Sequence, residues 1–154
     1  MPKENLEKLV KEIVKDASDL KDKYISQKKA PVNYACVFAQ SDAEYKDLSE
    51  AVKTVGQVVK ETKSGFLYHI NDLETDSGRL QLLKIRIPDA TRPERGDADF
   101  TVTNYESFKN TYLSKPGFKL IPRENFEMME LMDRGFNVRA YFSNPPLDEQ
   151  LGLK

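Results

Sequence analysis

One order of elements is written twice along this chain, and that repetition constrains the fold more than any single motif does. From Val32 the sequence reads strand, helix, strand, strand, strand, and from Asp97 it reads the same again. A shift of 63 residues lays Tyr34 on Asp97, Ala35 on Ala98, Val37 on Phe100, Ser41 on Asn104 and Tyr45-Lys46-Asp47 on Phe108-Lys109-Asn110. The matching caps and aromatic-Lys-Asx triplets point to an internal repeat, and the shared order of elements points to it more strongly.

Each element has a local cause. In the first unit Val32 to Ala39 is rich in β-branched and aromatic types and carries no charge, as a strand does. Ser41-Asp-Ala-Glu44 is a capping box, opening a helix with Tyr45, Leu48, Val52 and Val55 on one face and a stop near Gly56. Strands are expected at Gln57 to Thr62 and Phe66 to Ile70, with a polar loop over Asn71 to Arg79 and an alternating strand from Leu80 to Ile87. The second unit reads as a strand at Asp97 to Thr103 and a helix capped by Asn104. Strands then follow at Phe118 to Ile121, Phe126 to Met132 and Asn137 to Phe142. Asp89 to Gly96 is the linker, and the tail from Ser143 carries few signals. Ahead of both units Leu6, Leu9, Val10, Ile13, Val14, Ala17 and Leu20 mark an amphipathic helix over 3–28. Its stripe is expected to cover the rest of the chain, a homodimer interface being the other use for it.

The expected fold is therefore α+β: two βαβββ units, 32–88 and 97–143, forming one cupped mixed sheet with an added N-terminal helix in a single domain, 1–154. A split βαβ of the ferredoxin-like kind is the alternative, but it leaves strands unused. Lysine plus arginine number 24 against 25 acids, so no overall field draws the chain to nucleic acid or to anionic lipid. One cysteine excludes an internal disulfide, and one histidine excludes a His/Cys zinc cluster of the usual spacing. No apolar run approaches a membrane span, and Met-Pro-Lys-Glu-Asn has no apolar signal core, so the cytoplasm is the expected compartment.

Strand parity selects the candidate site. If Leu83, Ile85 and Ile87 pack under the helices, Lys84 and Arg86 face the cup. By the same rule Ala98, Phe100 and Val102 are core while Asp97, Asp99 and Thr101 face the cup. Val138, Ala140 and Phe142 are core while Asn137, Arg139 and Tyr141 face it. The repeat alignment adds Tyr34, Cys36 and Phe38. Arg86, Arg139 and Lys84 with the hydroxyls of Tyr34 and Tyr141 suit a carboxylate or phosphate, and Asp97 or Asp99 is the candidate general base. His69, Cys36, Met128, Met129 and Met132 are read as structural.

Arg86-Ile-Pro88, Arg95-Gly96-Asp97-Ala98-Asp99-Phe100-Thr101-Val102 and Asn33-Tyr34-Ala35-Cys36-Val37 resemble the YecM-like branch of the vicinal-oxygen-chelate (glyoxalase-like) proteins. The resemblance covers about 32 to 142 in element order. It implies the cupped sheet and, at the family's proposed metal positions, a divalent cation. Those positions match Tyr34, Arg86 and Asp97 here, with Arg139 on the last strand. A cation beside two arginines is repelled, so no metal and no cofactor are carried over. The leading expectation is a binder of a small anionic molecule or a metal-independent enzyme acting on one, with no nucleic-acid or membrane partner. A protein-interaction domain and a metal enzyme using the second unit's acids are the alternatives.

Overall fold

The computed structural model describes residues 1–153. In chain order the elements are α1 (Lys3–Tyr24), β1 (Val32–Phe38), α2 (Asp42–Val52), β2 (Gly56–Thr62), β3 (Gly65–Thr75) and β4 (Gly78–Arg86). The second unit follows as β5 (Gly96–Phe100), α3 (Tyr105–Tyr112), β6 (Phe118–Pro122), β7 (Glu127–Leu131) and β8 (Val138–Asn144), and α4 (Leu147–Gln150) ends it. All eight strands join one curled open sheet in the order β2-β3-β4-β1-β5-β8-β7-β6. Within each unit the first strand pairs parallel with the last, β1 with β4 and β5 with β8. The units meet where β1 runs antiparallel to β5, Ala35 opposite Ala98. The mixed α+β architecture of two βαβββ units is thus realised, with the added N-terminal helix.

The convex face holds the core. Leu6, Val10, Ile13, Val14, Ala17 and Leu20 of α1 are all buried, and the helix packs across β1, β5 and β8. Each large side chain so covered contributes ~1.5–3 kcal/mol. The apolar stripe is therefore satisfied within the chain. Gly96 is what lets α1 sit so close, since a Cβ there would lie 2.3 Å from the Cys36 carbonyl oxygen and 2.9 Å from Ile13 Cδ1. Lys21 is fully buried under the same helix. Its ammonium donates to Asp22 (2.6 Å) and the Lys28 carbonyl (2.9 Å) and lies over the Phe100 ring, so the charge is paired and solvated by protein.

Four expectations need correction. The first helix stops at Tyr24 rather than 28, because Ile25 turns extended and buries its side chain in the core. The loop expected over Asn71 to Arg79 is a hairpin: β3 runs on to Thr75 and β4 begins at Gly78, with Leu73 buried opposite Leu80. One apolar residue on each arm was too little alternation to signal a strand, and a register shift between His69 and Leu73 breaks the period. Ile87 and Met132, read as packed, are exposed because β4 ends at Arg86 and β7 at Leu131. Finally β5 stops at Phe100, so Thr101 lies beyond the strand.

Capping chemistry also positions the linker. Ser41 accepts the Glu44 amide (3.1 Å), and Glu44 accepts the Gln40 amide (2.8 Å) while gripping Arg95 with both oxygens (2.7 and 2.8 Å). Arg95 donates onward to the Phe38 carbonyl (2.9 Å). A helix start in the first unit thereby holds residues 89–96 across the end of the concave face.

Candidate ligand-binding cleft

The concave face is a grid set by register. Lys84, Cys36, Asp97 and Arg139 stand in one row across β4, β1, β5 and β8. Tyr34, Asp99, Tyr141 and Glu130 form the neighbouring row, on β1, β5, β8 and β7. Phe38 and Arg86 stand on the other side of the first row. Strands are ~4.8 Å apart and alternate residues ~6.7 Å, so this block of side chains spans one small-molecule site. A cavity of about 340 Å³ opens over it, within the ordinary range for ligand pockets. Tyr34, Lys84, Arg86, Asp97, Asp99 and Tyr141 line it, together with Ser64, Arg92, Ile121, Arg123 and Met128.

Arg139 is the one site candidate that the cavity does not include. Its guanidinium donates to Glu94 (2.9 Å), Glu130 (3.3 Å) and the Thr91 carbonyl (3.1 Å). These three bonds fix the linker against β7. Tyr141 lines the cavity with its hydroxyl already engaged, donating to Glu130 (2.6 Å) and accepting from Arg92 (3.3 Å). Its place as a hydrogen-bond donor to ligand is taken by that carboxylate. Cys36 lies buried between Lys84 and Asp97, and burial and the nearby Asp97 push its thiol far up, so it is no nucleophile.

Four residues were missed from sequence. Arg92 belongs to the linker, where no strand period marks a facing side; its guanidinium lies over the Phe38 ring, 5.6 Å from the centroid. Arg123 sits in a turn and was equally silent. Glu130 and Ser143 were legible by parity, since Glu130 is the lone charge among Met128, Met129 and Leu131.

The two acids of the second unit behave differently. Asp99 receives the Ser143 amide (3.2 Å) on one oxygen and the Ser143 hydroxyl on the other. Burial still lifts it to about 6, the serine bonds holding it from rising further. Asp97 is 6% exposed and its Oδ1 has no hydrogen-bond partner. Burial and then the Asp99 charge push its carboxyl to about 7, against the pull of Arg92, Lys84 and Arg86. Across the cleft Arg86 Nε is likewise buried without an acceptor, while its outer nitrogen reaches Asp89 at 3.6 Å. Burial depresses the Lys84 ammonium, which donates to Ser64.

A divalent cation does not fit this donor set. Among the described residues no three His, Cys, Asp or Glu side chains gather as ligands. Asp99 has both oxygens committed, and Asp97 is surrounded by Lys84, Arg86 and Arg92, whose charges oppose a metal.

No protein-family model matches the sequence, and no curated protein matches it. Among solved structures the chain is similar to protein EC4020, a structural-genomics target, with TM-score 0.73 and 9% identity over 98% of this chain and 92% of that one. No helix among the described residues is long and apolar enough to cross a membrane. At 9% identity the likeness is one of fold alone.

Proposed function

We propose that the concave cleft binds a small organic anion that carries a hydrogen-bond donor beside its charge, in a vicinal-oxygen-chelate fold that works without that family's metal. The two orphaned polar atoms support this reading. Arg86 Nε needs an acceptor and Asp97 Oδ1 needs a donor, both are buried, and both side chains line one cavity. An unpartnered buried polar group costs ~1–3 kcal/mol, so each marks a side chain whose polar capacity the protein itself leaves unused. Lys84, Arg92 and Arg123 add positive charge around the same space. A 2-hydroxy or 2-amino carboxylate has the required pair of groups.

Asp97 is the better placed of the two candidate bases, because Asp99 is tied to Ser143. If the protein turns its ligand over, the Asp97 carboxylate takes the proton from the ligand group hydrogen-bonded to it. Isothermal titration with short 2-hydroxy and 2-amino acids tests the binding step. Binding by the wild type that falls at least tenfold in Arg86→Ala is the expected result. Equal affinity in the two proteins refutes the site.

A further inference from the structure

We infer that the anion this cleft takes has an apolar body, and that the body lies in a second lobe walled by α4; this rests on the anion-binding reading above. The Tyr34 row of the cationic cavity has a second space on its other side. This space, of about 210 Å³, shares Tyr34, Lys84, Asp99 and Met128 with the cavity as common walls. Beyond them its lining turns more apolar, with Leu67, Phe126 and Leu147 beside the polar Lys60, Thr62, Ser143 and Gln150. The two neighbouring spaces thus offer a cationic end and a more apolar end.

The walls of this lobe are held in place by structure. Leu67 is buried on β3, yet it stands apart from the core cluster beneath the sheet, as a concave-facing side chain must. Leu147 is brought over by α4, which one bond ties to β1 and another closes on its own tail. The Asp148 amide donates to Asn33 Oδ1 (3.2 Å), and Gln150 donates to the Pro145 carbonyl (2.7 Å). The tail, which carried few sequence signals, is therefore the outer wall of the site. A bare inorganic anion satisfies the first lobe and leaves the second wet. A ligand with an alkyl or aryl body beside its charge satisfies both.

The test is a homologous series of equal charge, 2-hydroxypropanoate to 2-hydroxyoctanoate, titrated calorimetrically into the full chain. Affinity is expected to rise about two- to fourfold per methylene until the lobe fills, on the order of a hundredfold across the series. Leu147→Trp, which fills the lobe, should flatten that gradient and leave the three-carbon acid unaffected. Phe126→Ser should make it shallower by removing apolar wall. A flat series in wild type, with all binding lost in Arg86→Ala, overturns the apolar lobe and leaves the anion site standing. A gradient that survives unchanged in Leu147→Trp also overturns it, because the chain length would then act elsewhere. Failure of every member to bind sinks the anion-binding reading itself, and this inference with it.

Discussion

Replacing Asp97 with asparagine isolates the cost of keeping a carboxylate in this cleft. The folded protein holds that carboxyl at about 7, while its ordinary value is 3.8. Three pH units at ~1.36 kcal/mol each put the penalty of ionised Asp97 on the order of 4 kcal/mol, an upper bound. The direction follows from proton binding. Between pH 4 and 7 the unfolded chain has released this proton and the native state still holds it, so wild-type stability loses ground as pH climbs through that window. Below pH 4 both states are protonated and the penalty vanishes. Asparagine never ionises. The stability advantage of Asp97→Asn over wild type should therefore grow from pH 4 to pH 7 and level off by pH 8. Any fixed effect of the new amide beside Lys84 and Arg86 shifts the whole curve without changing its slope, and Asp99 titrates in both proteins. Urea unfolding of the pair at several pH values reads the difference directly. A difference constant across pH 4 to 8, or one that shrinks, refutes the account of Asp97. The stabilised variant should also bind the 2-hydroxy acids more weakly, since its side chain no longer offers two acceptors. Stability gained and function lost at one residue is what a preorganised site predicts.

Two further substitutions probe what surrounds the cleft. Gly96→Ala drives a methyl against the Cys36 carbonyl and Ile13 of α1, and should cost ~2–3 kcal/mol by urea unfolding; a loss under ~0.5 kcal/mol means α1 does not cross β5 there. Arg139→Ala strands Glu94 and Glu130 and should cost ~3 kcal/mol of stability, while the affinity of the cleft for a 2-hydroxy acid changes less than threefold. A large loss of affinity with unchanged stability would show that Arg139 faces ligand after all.

Most of the architecture was legible because two periodicities carry it. Period-two alternation in β4, β5 and β8 places Lys84, Arg86, Asp97, Asp99 and Tyr141 on one face, and the structure gathers those five with Tyr34 around one cavity. Alternation fixes which way a side chain leaves the sheet. It says nothing about what the head group then meets. Arg139 leaves β8 toward the cup and is captured by Glu130 of the adjoining strand and by Glu94 of the linker, which no strand period aims at it. Arg92 and Arg123 enter from a linker and a turn, where φ and ψ follow hydrogen bonds that no period announces. The β3–β4 hairpin failed for the opposite reason, its exposed arms carrying too few apolar residues to be read.

The register explains how a duplicated fold builds a site of opposite charges. Ala35 pairs with Ala98, Tyr34 with Asp99 and Cys36 with Asp97, so the pairing is symmetric about the Ala35–Ala98 pair. That centre makes Tyr34 equivalent to Asp97, and Cys36 to Asp99, as the shift of 63 residues implies. Following each first strand to its parallel partner makes Leu83 equivalent to Ala140 and Lys84 to Tyr141. The pairs that face the helices, Ala35 with Ala98 and Leu83 with Ala140, are apolar in both units, because both must be dry. The pairs that face the cup share no chemistry. A phenol and a thiol in one unit answer two carboxylates in the other, and a lysine answers a tyrosine. Burying two like charges across such an axis would cost several kcal/mol, whereas cations from the first unit facing acids from the second offset each other. The common backbone supplies the hollow, and the divergence of its facing positions supplies the polarity that an anion with a neighbouring donor requires.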